Sequence, residues 1–190
     1  MSGRLVLVTG GARSGKSGFA EGLARDGRQP VVYLATAEVG DEEMRERVRE
    51  HQQRRPAEWQ TVEARTEVAQ ALARLPQQPG TVLLDDLGLL VTNRLLDLSG
   101  DADPTVATAR ALDAALAAEI DALRAAQAAG GWDLIVVTNE VGLGIVPETP
   151  LGRVFRDAIG RANQALAAIA DEVYLLVVGL PLRIKPAPGS

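Results

Sequence analysis

The chain has 190 residues, 46% of them apolar and 24% charged, with a formal net charge of −5. That size suits one globular domain with a substantial core, and the acidic balance argues against sequence-independent nucleic-acid binding, which needs a basic face to displace counterions. Zero cysteines exclude disulfides, thiol catalysis and thiolate-bound metals, and a single histidine excludes multi-histidine centres.

No apolar run approaches the roughly 20 residues that cross a bilayer, and the first residues lack a charged region followed by an apolar secretory core. The expectation is a cytoplasmic protein without a membrane span. Apolar runs of strand length stand at residues 4–9, 30–35, 81–84, 133–137 and 172–178, with helix-period segments between them. This alternation predicts an α/β fold with a parallel sheet.

The first run passes into Gly10-Gly11-Ala12-Arg13-Ser14-Gly15-Lys16-Ser17 and then into a helix-forming segment. The spacing of Gly10, Gly15, Lys16 and Ser17 fits a P-loop, in which small residues let successive backbone N–H groups converge on nucleotide phosphates. The following helix points its positive end at that charge. Lys16 is placed to bridge the terminal phosphates, and the Ser17 hydroxyl to ligate Mg²⁺ carried by the nucleotide. Of twenty basic residues only Lys16 and Lys185 are lysines, so the lysine at this position stands out from the chain's usage.

Residues 41–55 begin with acids and end with bases, as a helix favoured by its own dipole does. Met44, Val48 and His51 stand at i, i+4 and i+7, which puts His51 on the inward face. Spacing by itself favours a structural histidine. The competing reading is an imidazole that attacks phosphorus, with the arginines after it gathering anionic oxygens. A loop gripping the β- and γ-phosphates stabilises pyrophosphate as a leaving group too, so it can serve attack at the α- or the γ-phosphorus. Spacing does not choose between them.

Val82-Leu83-Leu84-Asp85-Asp86 is an apolar strand ending in acid, as a Walker B element does. Asp85 directly follows the run and is favoured for the Mg²⁺ shell. Asp86 is the alternative, and the competing reading has the pair open the next helix, where acids favour the dipole. Asp101-Ala102-Asp103-Pro104 predicts a helix entry with an acidic cap, and Gly130-Gly131 its end. Within it Val106, Ala109, Leu112, Leu116, Ile120 and Leu123 share an apolar face, as Leu151, Val154, Phe155, Ala158, Ile159, Ala162 and Leu166 do in a second long helix. A domain over residues 1–185 and a frayed tail over 186–190 complete the expected organisation.

Several ordered blocks together resemble the bifunctional adenosylcobinamide kinase / adenosylcobinamide-phosphate guanylyltransferase family of cobalamin biosynthesis. They are Thr9 through Ser17, Tyr33 through Ala37, Asp41 through Pro56, Trp59 through Glu63, Val91-Thr92-Asn93, Thr138 through Glu148, Gly160 through Gln164, Ala170 through Val173 and Gly179-Leu180-Pro181. The likeness runs from Leu5 to about Lys185. It implies a RecA-like P-loop domain, mostly parallel with helices on both sheet faces, assembled as a homotrimer.

The same resemblance implies two reactions. ATP or GTP phosphorylates the aminopropanol hydroxyl of adenosylcobinamide, and GTP then delivers GMP through His51 to that phosphate, giving adenosyl-GDP-cobinamide and pyrophosphate. By resemblance the GTP-contacting set is Gly10, Gly11, Ala12, Arg13, Ser14, Gly15, Lys16 and Ser17, with Ala35, Thr36, Arg54, Arg55, Pro56, Ala57, Glu63 and Asp85. Arg55 is then a phosphate contact and Glu63 a partner for guanine or ribose. Asn139 and Glu140, after the strand ending at Val137, are expected either to meet the corrinoid or to form the polar ends of a turn. Asp86 departs from the pattern, which needs one acid there. The competing functions are a small-molecule kinase without nucleotidyl transfer and a nucleotide-switched interaction protein.

Overall fold

The computed structural model describes residues 3–37 and 56–185. Strands β1 (Leu5–Gly10), β2 (Val31–Ala35), β3 (Gln60–Glu63), β4 (Thr81–Asp85), β5 (Asp133–Val137), β6 (Glu172–Val177) and β7 (Leu180–Lys185) form one sheet in the order β3-β2-β4-β5-β1-β6-β7. Every pairing is parallel except that of β6 with β7. The helices are α1 (Lys16–Arg25), α2 (Val68–Ala73), α3 (Leu87–Ser99), α4 (Val106–Gly130) and α5 (Pro150–Ile169). The expected helix around His51 and the expected tail lie outside the described residues.

The five apolar runs read as strands are strands. They are continuous because the central strands are covered on both faces, and alternate residues enter separate cores. Leu5, Leu7, Val32, Leu34, Val82, Leu84, Leu134 and Val136 join α2, α3, α4 and α5 in the larger core. Val6, Val8, Tyr33, Leu83, Ile135 and Val137 join α1 in the smaller one. Strands β3 and β7 are additional to the sequence expectation. Three of the four β3 residues are exposed and β7 is exposed along most of its length, so neither writes an apolar run.

Helix α4 ends as expected, with Gly131 in the left-handed conformation at φ 71°. Its start differs from the acidic entry read in the sequence. Thr105 is the N-cap, in a reciprocal capping box with Thr108. Consequently Val106 falls in the first turn and is 71% exposed, while Leu112, Leu116, Ile120 and Leu123 carry the buried stripe.

Sheet order positions the site. From β1 the chain crosses through α1 to β2, whereas from β5 it crosses through α5 to β6 on the other side of β1. The connections therefore diverge between β5 and β1, the topological position beside which ligands bind in open α/β sheets. Helix α1 is anchored on its outer side by Phe19, whose ring meets that of Tyr174 edge-on at 5.1 Å between centroids.

At the opposite end of β6, the buried Glu172 accepts from Tyr174 Oη at 2.5 Å and Arg4 Nη1 at 2.8 Å, and pairs with Arg183 at 3.3 Å. Burial opposes its ionisation, but the Tyr174 hydroxyl and the two guanidiniums outweigh burial and hold Glu172 below its ordinary value of 4.5. A depressed carboxylate stabilises the fold above its unfolded value, and that contribution disappears as pH falls from there through the folded value. In urea titrations across pH, Glu172→Gln should flatten the acid limb of the stability curve.

Packing gives a second expectation. Leu134→Ala, at a fully buried position, should cost about 2–5 kcal/mol, whereas Val106→Ala should stay within about 0.5 kcal/mol. Chemical denaturation of both variants measures the contrast.

Candidate active site

The turn from β1 into α1 is shaped by glycine at two points. A Cβ on Gly10 would stand 2.6 Å from Ser14 Oγ and 2.8 Å from the Leu176 carbonyl oxygen, so only glycine fits without displacement. Gly15, the N-cap of α1, has φ 90° and lies against Gly179. Arg13 also adopts a positive φ, 56°. Ser14 N–H donates to the Gly11 carbonyl at 3.3 Å and closes the turn. Lys16 Nζ reaches the same Gly11 carbonyl at 3.3 Å, so the lysine lies over the loop.

Both strands flanking β1 hold this loop. After β5, Glu140 N–H donates to the Gly10 carbonyl at 3.0 Å. From the β6–β7 hairpin, Gly179 N–H donates to the Ser14 carbonyl at 2.9 Å. The hydroxyls of Thr9 and Ser14 are buried without a hydrogen-bond partner among the described residues. Such groups carry a desolvation cost.

The two acids at the end of β4 have separate positions. Leu83 packs in the α1 core and strand alternation returns Asp85 to that face, where it accepts from Tyr33 Oη at 2.6 Å. Asp86 caps α3, accepting from Leu89 N–H at 2.7 Å through Oδ1, and accepts from Asn139 Nδ2 at 3.2 Å through Oδ2. Burial raises the Asp86 pKa above 3.8, and the neighbouring Asp85 charge adds to the rise; the Leu89 hydrogen bond, the Lys16 charge and the Asn139 amide oppose it. Of the readings for the pair, helix opening describes Asp86, while Asp85 is the acid on the phosphate-loop helix's face.

Thr36 braces the Asp85–Asp86 backbone. Its hydroxyl donates to the Asp86 carbonyl at 2.8 Å and accepts from Asp86 N–H at 3.0 Å, and its own N–H donates to the Asp85 carbonyl at 3.3 Å. Asn93 from α3 donates to the Thr36 and Arg65 carbonyls, both at 3.0 Å. Ala35 ends β2, and Glu63 is exposed at the end of the adjoining β3. Pro56 accepts from Trp59 N–H at 3.1 Å and Ala57 is exposed beside it. His51, Arg54 and Arg55 lie outside the described residues.

Asn139 is engaged as a strut. Besides its bond to Asp86, its carbonyl accepts from Asn163 Nδ2 at 3.0 Å, and Asn163 Oδ1 accepts from the Thr138 hydroxyl at 2.7 Å. Tyr33, Asn93, Thr138 and Asn163 have bracing roles that their residue types alone do not announce, although each falls in a block that carries the resemblance. Strand-end and helix-face polar residues within such blocks were the available signal.

The donor set fits a hard divalent cation bound with phosphate. Ser17 supplies a hydroxyl in the first turn of α1 and Asp85 a carboxylate on the same face, while no cluster of three acids or histidines able to hold a metal occurs among the described residues. A cation here would take its remaining oxygens from phosphate and water, the usual arrangement for Mg²⁺.

The family model described as cobinamide kinase / cobinamide phosphate guanyltransferase matches residues 6–184. The chain is 46% identical over 181 residues to the bifunctional adenosylcobalamin biosynthesis protein CobU of Escherichia coli (strain K12), covering 95% of this chain and 99% of that protein. It is 44% identical over 181 residues to CobU of Salmonella typhimurium, with the same shares covered. To CobP of Pseudomonas aeruginosa it is 40% identical over 182 residues, covering 96% of this chain and 98% of the relative. A solved ATPase of a bacterial type III secretion system superposes with a TM-score of 0.58 at 12% identity, covering 96% of this chain and 58% of that one. This last likeness shows the fold alone.

The Asp86 cap can be tested by itself. Asp86→Ala should lower stability by about 1 kcal/mol through the lost N-cap, and Asp86→Asn, which keeps an acceptor for Leu89 N–H, should recover most of it in urea melts.

Proposed function

The chain belongs to the cobinamide kinase / cobinamide phosphate guanyltransferase family, a bifunctional enzyme of adenosylcobalamin biosynthesis, and from that premise we propose that the Gly10–Ser17 loop serves both of its reactions. What supports this reading is that the loop bearing Lys16 follows the carboxyl end of β1 while Asp85 ends β4 at the same edge of the sheet, and that the Lys16 charge is felt at the adjoining Asp86. Lys16 and the N–H groups opening α1 hold the β- and γ-phosphates of ATP or GTP. Ser17 and Asp85 hold Mg²⁺, which when bound screens charge on the phosphates.

In the kinase step the hydroxyl oxygen of adenosylcobinamide attacks the γ-phosphorus. The bond from that phosphorus to the bridging oxygen breaks, ADP or GDP leaves, and the hydroxyl proton is lost. In the transfer step an imidazole nitrogen of His51 attacks the α-phosphorus of GTP and pyrophosphate departs from the same cradle. A phosphate oxygen of adenosylcobinamide phosphate then attacks the guanylyl phosphorus, forming the diphosphate linkage and freeing the imidazole. Arg54, Arg55, Pro56, Ala57 and Glu63, with Ala35 and Thr36, complete the guanosine site; Thr36 acts there chiefly by holding the Asp85–Asp86 backbone. The reading includes residues 1–185 working as one domain, in a homotrimer, in the cytoplasm. Among the described residues no helix is long and apolar enough to cross a membrane.

Incubation with GTP labelled at the α-phosphate should leave label on the denatured protein, stable in alkali and released by acid. His51→Ala should abolish it. Equal labelling of wild type and variant would remove His51 from the mechanism, leaving the γ-transfer chemistry to stand on Lys16 and the loop.

A further inference from the structure

The acceptor poses a problem of size. A corrinoid is a macrocycle many times larger than its reacting hydroxyl, which hangs from one peripheral arm. If the triphosphate sits in Gly10–Ser17, the ring must rest within an arm's length of that loop, on surface exposed at the carboxyl edge of the sheet.

The segment after β5 is the surface that fits. It leaves the strand at Thr138–Glu140, where Glu140 N–H is bonded to the Gly10 carbonyl. It then runs Val141-Gly142-Leu143-Gly144-Ile145-Val146-Pro147 with Leu143 89%, Ile145 91% and Val146 62% exposed. Large apolar side chains clustered in one short segment and held in water forgo about 25 cal/mol for each Å² left uncovered, and exposed apolar patches mark binding surfaces.

The segment is braced at both ends. Glu140 Oε1 accepts from Gly142 N–H at 2.6 Å, which turns the chain immediately after the strand. At the far end Arg153 Nη1 donates to the Pro147 carbonyl at 3.1 Å and the Glu148 carbonyl at 2.6 Å. Pro147 also lies against Gly152, where a Cβ would be 2.9 Å from it. Gly152 with Leu151 and Phe155 lines an apolar groove of about 280 Å³ between α3 and the start of α5. Pro147 thus joins the exposed segment to this groove. On the other side of β1, the β6–β7 hairpin tip contacts the loop through Gly179, away from the divergence between β5 and β1.

We propose that Val141–Pro147 is the platform on which the corrin macrocycle of the acceptor rests, with Leu143, Ile145 and Val146 against its methyl-bearing face and the groove by Leu151 and Phe155 receiving a projecting substituent. This deepens the proposed function and rests on its assignment of the triphosphate to Gly10–Ser17. Asn139 and Glu140 act by positioning the platform, their polar groups being bonded to Asp86, Asn163, Gly10 and Gly142. The ring's contacts are apolar.

The test compares equilibrium binding of adenosylcobinamide phosphate and of ATP by wild type, a Leu143→Ser/Ile145→Ser double variant and a conservative Leu143→Met/Ile145→Leu variant. The readout is the ratio of corrinoid to ATP affinity. That ratio should fall at least tenfold in the serine variant and return to within about threefold of wild type in the conservative one, with unfolding temperatures unchanged. An unchanged ratio overturns the platform. So does a loss that follows a drop in sedimentation coefficient, which would assign the segment to a contact between copies. ATP affinity retained by Lys16→Ala would overturn the phosphate-loop assignment, and the placement of the ring with it.

Discussion

The site depends on two backbone hydrogen bonds that reach the phosphate loop from the strands on either side of β1. Glu140 N–H holds the Gly10 carbonyl and Gly179 N–H holds the Ser14 carbonyl. A loop whose N–H groups must stay turned toward a ligand needs its own carbonyls satisfied elsewhere, and these neighbours take two of them. The second bond also brings Gly179 against Gly15, while at Gly10 it is Ser14 Oγ and the Leu176 carbonyl of β6 that leave no room for a side chain. Because β5 and β6 are paired to β1 along their lengths, the register of the central sheet sets the shape of the loop.

A second constraint is the separation of the two acids where β4 ends. Adjacent carboxylates repel, and burial makes each charge costlier. Asp85 is the last residue of the strand, whereas Asp86 lies beyond it as the N-cap of α3. Asp85 faces α1 and is bonded to Tyr33, while Asp86 faces α3, caps it and is tied through Asn139 to the exit of β5. One acid is thereby left to the α1 side, and the other links the ends of the paired strands β4 and β5. Thr36 and Asn93 carry this bracing on to the end of β2.

Much of the fold was legible because a strand covered on both faces has to be apolar at nearly every position. That condition made β1, β2, β4, β5 and β6 visible as runs. It does not apply to β3 or β7, which lie at the two edges of the sheet and are largely exposed. The start of α4 at Thr105 rather than in Asp101–Pro104 has a local reason. An acidic pair before proline and a threonine after it are both good caps, and the reciprocal bond between Thr105 and Thr108 decides between them.

The sequence by itself determined the glycine-rich turn from β1 into α1, the strand runs, the covering helices and, through its ordered blocks, the family. Each of these is written locally: in the spacing of glycines around one lysine, in apolar period, or in short strings of residue types. Only the tertiary structure decided which acid faces α1, that Asn139 is a strut, and that the loop after β5 carries its apolar residues outward beside the phosphate loop. Those outcomes turn on partners such as Tyr33 with Asp85, Asp86 with Asn139 and Asn139 with Asn163. Residues so far apart in the chain meet only because the strand order brings their ends to one edge, and strand order is a property of the assembled sheet that no local stretch contains.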